Sequence, residues 1–172
     1  METPCVNFRF GDILRVQVKF SENFTNKGDY NMSKVAVVYW SGTGNTESMA
    51  AKVAVGAEAA GAEVTSFTAS EFSADQVDNF DAIAFGCPSM GSEELEESEF
   101  APMFSDCESK LNGKKIGLFG SYGWGGGEWM RTWEETCTND GAVFAADSVI
   151  CNDAPDAEAE EACVALGKAL AQ

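Results

Sequence analysis

The chain has 172 residues, 45% of them hydrophobic, and is therefore long enough to fold as one domain around a single core. Its net charge of -17 argues against binding to nucleic acid or to anionic membranes, which require basic patches, and favours a basic docking partner. Because the sequence contains no His, catalysis by Ser–His or Cys–His pairs and His-ligated metal sites are excluded.

Cysteine usage and hydropathy narrow the class of protein further. The six Cys are scattered and form no C-x-x-C pair, so neither a metal site nor an iron–sulfur cluster is expected. Scattered cysteines are typical of reduced thiols, which predicts a cytoplasmic protein. No apolar run approaches the roughly 20 residues that cross a bilayer, so no membrane segment is expected.

The first 32 residues differ in kind from the rest of the chain. Residues 1–31 hold four acidic and four basic side chains, so the whole net charge belongs to the remainder. Between Leu14 and Phe20 apolar and polar residues alternate, which predicts a half-buried strand, and the apolar stretch of a signal peptide is missing. Residues 1–32 are therefore interpreted as an N-terminal extension. Three explanations stay open: translation starting at Met32, a loosely attached appendage, or an extra edge strand.

From residue 33 onwards, apolar strands alternate with helices. The sequence predicts strands over residues 34–39, 63–66, 81–86, 116–119 and 142–150. It predicts helices over residues 47–60, 100–111, 127–140 and 156–172, with a short helical connection over residues 70–80. This alternation predicts an α/β fold, a doubly wound parallel sheet with helices on both faces. Five strands fit the order 2-1-3-4-5, which brings the loops after strands one, three and four together.

The turn after the first strand carries the strongest motif. Residues 40–46 read W-S-G-T-G-N-T and lie between a buried strand and the start of a helix. Backbone N–H groups at a helix N-terminus bind phosphate, and here three hydroxyls and the amide of Asn45 add further donors. The loop contains no Lys or Arg and matches neither G-x-x-x-x-G-K-[ST] nor G-x-G-x-x-G. The motif therefore suits one enclosed terminal phosphate.

Two more loops follow the third and fourth strands. Residues 87–94 read C-P-S-M-G-S-E-E, and residues 120–125 read G-S-Y-G-W-G. Together with the phosphate loop, they resemble the flavodoxins, small FMN-binding electron carriers, over residues 33–172, and most of all the short-chain clostridial type. The resemblance implies a flavodoxin-like three-layer doubly wound fold, with a five-stranded parallel sheet in the order 2-1-3-4-5 and an FMN-binding domain over residues 33–172.

The resemblance also assigns roles around the flavin ring. The peptide between Gly91 and Ser92 is expected to face flavin N5, and Glu93 to accept a hydrogen bond from N3–H. Trp124 is expected to cover the outer face of the ring and Met90 to touch the inner face. Close relatives often have an acid where this chain has Ser92. The cofactor-binding residues implied are Ser41, Gly42, Thr43, Gly44, Asn45, Thr46, Ser89, Met90, Gly91, Ser92, Glu93, Ser121, Tyr122, Gly123, Trp124 and Gly125.

The resemblance implies a low-potential one-electron carrier with non-covalently bound FMN and no metal, an electron-transfer protein and not an enzyme. It is expected to be a cytoplasmic monomer that docks redox enzymes near the flavin edge, through their basic surfaces and beside the acidic residues 93–99, without nucleic acid or membrane. Trp129 and Trp133, one turn apart on a predicted helix, are predicted to be core residues instead of flavin contacts.

Two alternatives use the same fold. An NAD(P)H-dependent FMN or quinone reductase would need a nicotinamide pocket over the ring, and the predicted cover by Trp124 and the lack of basic residues near the loops argue against it. A phosphoryl-receiver domain needs clustered acids after the first strand and an Asp after the third. This chain has Ser41 and Gly42 at the first place and Cys87 and Pro88 at the second.

Overall fold

The structure is a computed structural model that describes residues 32–172. The strand predicted between Leu14 and Phe20 lies outside the described residues. Within residues 32–172 the strands are β1 (Lys34–Tyr39), β2 (Glu63–Thr68), β3 (Ala82–Gly86), β4 (Lys115–Tyr122), β5 (Val143–Phe144) and β6 (Val149–Asn152). The helices are α1 (Asn45–Ala59), α2 (Phe100–Glu108), α3 (Glu128–Asn139) and α4 (Ala157–Leu170), with 3-10 turns at Ala69–Glu71 and Ala74–Asn79.

The strands form one parallel sheet in the order β2-β1-β3-β4-β5, which confirms the predicted order. The fifth position differs from the prediction, because the single strand expected over residues 142–150 is divided into β5 and β6. Both parts pair with β4, at Ile116 opposite Phe144 and Phe119 opposite Val149. From Phe144 to Val149 the edge chain advances five residues, whereas β4 advances only three, from Ile116 to Phe119. The chain therefore bulges out of the sheet between β5 and β6.

Helices cover both faces of the sheet, as the three-layer prediction requires. Val35 and Val37 of β1 pack toward α1 and α4, whereas Ala36 and Val38 pack toward α2 and α3. All four side chains are fully buried, which is why this strand is a continuous apolar run in the sequence. The loops at the carboxyl ends of the strands are therefore held on a rigid frame.

The predicted core tryptophans are confirmed, since Trp129 and Trp133 are each 2% exposed. Helix α1 begins at Asn45, two residues before the predicted start, because the phosphate loop turns directly into the helix. No helix within residues 32–172 has the length and apolarity that crossing a bilayer requires.

Candidate functional site

The carboxyl ends of β1, β3 and β4 lie side by side, and the loops that follow them enclose a cleft of about 210 Å³. Eight of the predicted cofactor-binding residues line this cleft: Gly42, Thr43, Asn45, Ser89, Met90, Ser121, Tyr122 and Gly123. The structure therefore brings together residues from all three motifs, which lie far apart in the sequence.

The phosphate loop is shaped by its glycines and hydroxyls. Gly44 precedes α1 with a φ of 89°, in the left-handed region that glycine adopts easily. Its N–H donates to Ser41 Oγ at 3.1 Å, which closes the turn. The hydroxyl oxygens of Thr46 and Ser121 lie 3.2 Å apart, and both residues are buried. Their mutual bond uses one of the two hydroxyl hydrogens, which leaves the other to donate to a ligand.

The four α-helices of the described region differ in how their N-termini are satisfied. The carboxylate of Glu96 accepts backbone N–H groups at the start of α2, and Glu93 does the same for α3. Asp156 caps α4 by accepting from the N–H of Ala159 at 2.9 Å. Helix α1 has no side-chain cap, and its first turn borders the cleft. Its free N–H groups and the positive end of its dipole therefore suit an anionic ligand.

The loop after β3 contains a tight hairpin. Met90 and Glu94 exchange both backbone hydrogen bonds, each at 2.9 Å. Two residues between them have positive φ, Gly91 at 50° and Glu93 at 58°. A Cβ at position 91 would meet no atom within 4 Å, so glycine is favoured there by backbone conformation and not by crowding.

Glu93 connects this hairpin to the loop after β4. Its carboxylate accepts backbone N–H groups of Gly126 at 2.7 Å and Trp129 at 3.3 Å, and also that of Glu128. The hydrogen bond from Gly126, followed by those from Glu128 and Trp129, lowers the pKa of the Glu93 carboxyl below its ordinary value. Its predicted bond to flavin N3–H stays a prediction. The capping role was missed, although the uncapped Gly-rich start of the predicted helix was a signal for it.

Two large apolar side chains are exposed near the cleft: Met90 lines it, and Trp124 directly follows the lining residue Gly123. Trp124 is 65% exposed and Met90 is 39% exposed. Water solvates such surfaces poorly, and they mark binding sites when they border a cleft. Their exposure fits the flat ligand for which both residues were predicted.

Three residues that were not predicted to bind the cofactor also line the cleft: Trp40, Pro88 and Asp153. Asp153 belongs to the loop after β6, and its N–H donates to the Tyr122 carbonyl at 2.8 Å. The turn residues N-D-A-P that follow the fifth strand were a signal for this fourth loop. The indole of Trp40 packs against the phosphate loop at Gly42.

The cysteines of the described region are buried and free. Burial raises the pKa of the Cys87, Cys137 and Cys163 thiols to about 12, so they are protonated at neutral pH. Across residues 32–172, no three His, Cys, Asp or Glu side chains group in a way that could hold a metal ion.

Comparisons with known proteins show the family of this chain. The flavodoxin family model matches residues 37–167. The chain is 49% identical over 138 residues to the flavodoxin of Megasphaera elsdenii, a match that covers 80% of this chain and 98% of that protein. It is 46% identical over 135 residues to the flavodoxin of Clostridium beijerinckii, with 78% and 97% covered.

A solved structure shows the same fold. The solution structure of two-electron reduced Megasphaera elsdenii flavodoxin superposes with a TM-score of 0.74 at 50% identity, covering 80% of this chain and 98% of that one. The N-terminal 30 residues remain unmatched in these comparisons. The predicted family, fold and cofactor are thereby confirmed, and the reductase alternative is not favoured. The chain belongs to the flavodoxin family, and it is an FMN-binding electron carrier, not an enzyme.

Proposed function

We propose that this flavodoxin is a low-potential one-electron carrier that holds FMN at the three loops after β1, β3 and β4. The observation that carries the proposal is the start of α1, which borders the cleft without a side-chain cap while α2, α3 and α4 each receive a carboxylate. The place that a carboxylate takes at the other helices is thus left for the FMN phosphate.

The phosphate would be held by uncharged donors only. Ser41, Thr43 and Thr46 contribute hydroxyls, Asn45 an amide, and the first turn of α1 its N–H groups. A site without Lys or Arg relies on hydrogen bonds and the helix dipole for its affinity, so it favours a phosphate that fits its geometry over anions in general. This donor set supports FMN over FAD, whose phosphates are not terminal.

The flavin ring would lie between Met90 and Trp124, beside the hairpin of residues 90–94. FMN, when bound, supplies the electron-transfer chemistry, and the protein supplies position and electrostatics. The cleft of about 210 Å³ is smaller than the roughly 300 to 1,000 Å³ of enclosing ligand pockets. Part of the cofactor would therefore stay at the surface, where an electron can leave.

Negative charge near the flavin affects both its reduction potential and the kind of redox partner that docks. Of the five acids in the acidic segment, residues 93–99, Glu93 and Glu96 serve helix N-termini, whereas Glu94, Glu97 and Glu99 are exposed. Fixed negative charge disfavours the addition of an electron, which lowers the potential of a bound flavin. The same exposed charge favours redox partners with basic surfaces. A monomer in the cytoplasm suits this shuttle role.

The experiment that tests the proposal is a titration of the cofactor-free protein with FMN, FAD and riboflavin, followed by quenching of flavin fluorescence. We expect FMN to bind far more tightly than the other two. Ser41→Ala and Thr43→Ala should weaken FMN binding and leave riboflavin binding unchanged. Ser48→Ala, an exposed position one turn further along α1, is the matched control and should change neither.

Equal affinity of the parent protein for FMN and riboflavin would contradict the assignment of the phosphate loop. A steady-state assay of NADPH oxidation with quinone acceptors addresses the reductase alternative, for which the proposal expects no turnover.

A further inference from the structure

The indole of Trp40 packs against the phosphate loop at Gly42. A Cβ built on Gly42 would lie 2.9 Å from Cη2 and 3.2 Å from Cζ3 of the Trp40 ring. The ring therefore supports the loop backbone at the point where the chain turns toward α1. Trp40 is also anchored in the sheet, because its N–H donates to the carbonyl of Gly86 at 3.0 Å.

The far edge of the indole is fixed by a residue 59 positions away. Trp40 Nε1 donates to Glu99 Oε2 at 3.1 Å, and Glu99 is the residue that immediately precedes α2. Glu99 is itself held in place, because its backbone N–H donates to Glu96 Oε2 at 2.9 Å. The same Glu96 oxygen accepts from the N–H of Phe100 at 2.9 Å. A continuous chain of contacts thus runs from the buried Glu96 through Glu99 and Trp40 to Gly42.

We propose that Trp40 and Glu99 are positioning residues for the phosphate of FMN, and this inference rests on the proposed function. Neither residue supplies a donor to an anion, and the Glu99 carboxylate would repel one. Their contribution is to hold the backbone around Gly42 in place, so that the donors of residues 41–46 converge without reorganisation when the phosphate binds.

The direction in which Glu99→Ala changes FMN affinity distinguishes a positioning role from a simple charge effect. Removing a negative charge near an anion site strengthens anion binding if charge alone matters. The inference predicts the opposite for Glu99→Ala, because the variant loses the hydrogen bond that fixes the indole. Glu99→Gln removes the charge but keeps an oxygen acceptor, so it should bind FMN at least as tightly as the parent.

The test measures dissociation constants of the cofactor-free full chain for FMN and for riboflavin, and reports their ratio. Trp40→Phe keeps an aromatic ring but loses both the indole N–H group and the ring atoms that contact Gly42, whereas Glu99→Ala loses only the acceptor. Each should lower the preference for FMN over riboflavin by about tenfold, the cost of one hydrogen bond to a charged group. The double variant should lose no more than Trp40→Phe alone, because Glu99 acts on the loop only through the indole. Glu135→Ala, an exposed acid on α3, is the control for charge and should not lower the preference.

The outcomes are distinguishable. If the parent itself does not prefer FMN to riboflavin, the phosphate-loop assignment fails and the inference fails with it. If the parent prefers FMN and both variants keep that preference, only the inference is overturned. Equal losses for FMN and riboflavin would also overturn it, because they would show a general loss of structure. Glu99 is exposed, so its variants remain informative even if Trp40→Phe does not fold.

Discussion

Gly91 is the residue whose backbone conformation is expected to influence electron transfer. Its φ of 50° lies in the left-handed region, and a Cβ there would touch nothing within 4 Å. No protein atom would clash with this Cβ, so within the protein Gly91→Ala costs backbone strain of about 1 kcal/mol. The predicted turn of the 91–92 peptide toward flavin N5 after one-electron reduction would become harder.

We expect Gly91→Ala to bring the two one-electron reduction potentials closer together, by lowering the first and raising the second. A strain of about 1.4 kcal/mol on the one-electron-reduced state would lower its population relative to either neighbouring redox state about tenfold. Gly113→Ala is the matched control, since Gly113 also has a positive φ of 73° and open space but precedes β4 at the other end of the sheet. A potentiometric titration reads both steps. Unchanged potentials in Gly91→Ala would show that this peptide does not set them.

Trp124 and Trp129 lie close together in the sequence but differ in exposure and in expected role. Trp124 is 65% exposed, whereas Trp129 is 2% exposed and its indole N–H donates to the Cys87 carbonyl at 3.3 Å. Trp124→Ala should weaken FMN binding and restore flavin fluorescence with little loss of stability. Trp129→Ala should instead lower the free energy of unfolding by about 3 to 5 kcal/mol. Fluorescence titration and urea unfolding separate the two effects, and equal effects on flavin binding would refute the assignment.

Glu96 fixes the start of α2 and makes the stability of this element depend on pH. Burial by itself would raise the pKa of Glu96, but hydrogen bonds from the Ser98 hydroxyl and the N–H groups of Phe100, Glu99 and Ser98 outweigh it. The net result lowers the pKa to about 2. A carboxyl with a lowered pKa stabilises the fold above its ordinary pKa of 4.5, and this contribution is lost as the pH falls toward 2.

Glu96→Gln should therefore lower the free energy of unfolding by about 2 to 3 kcal/mol at neutral pH. The difference from the parent should shrink as the pH falls from about 4.5 to 3, because the unfolded chain takes up a proton on this carboxyl while the folded protein keeps it ionised. Glu97→Gln, at the exposed neighbouring position, is the control and should change stability little at either pH. Urea unfolding of the FMN-loaded proteins measures both. A constant difference across this range would show that the Glu96 carboxylate is not the group that titrates.

The sequence predicted the elements whose signal is local. The apolar run of β1 and the turn at residues 40–46 are visible without any tertiary knowledge, so the phosphate loop was found. The division of the fifth strand was not predictable, because it depends on the pairing register with β4. The capping of α3 by Glu93 joins residues more than 30 positions apart in the chain. Its carboxylate was predicted only as a flavin contact, since sequence spacing does not show which N–H groups it reaches.

At the scale of the whole molecule, the predicted flavodoxin domain carries every predicted cofactor contact. All sixteen residues assigned from the sequence lie between Ser41 and Gly125, within the described region. We therefore expect a shortened chain that begins at Met32 to fold and to bind FMN with unchanged affinity. Thermal unfolding and FMN titration of the two chain lengths test this. A large loss of melting temperature in the shorter chain would favour the explanation of an extra edge strand.

The proposed role of the protein is to carry single electrons on FMN held at the three loops. The most direct measurement is a potentiometric titration of the FMN-loaded protein, followed by visible absorption. We expect two well-separated one-electron steps, with the second at a potential below that of free FMN because of the surrounding negative charge. A single two-electron step at the potential of free FMN would contradict it.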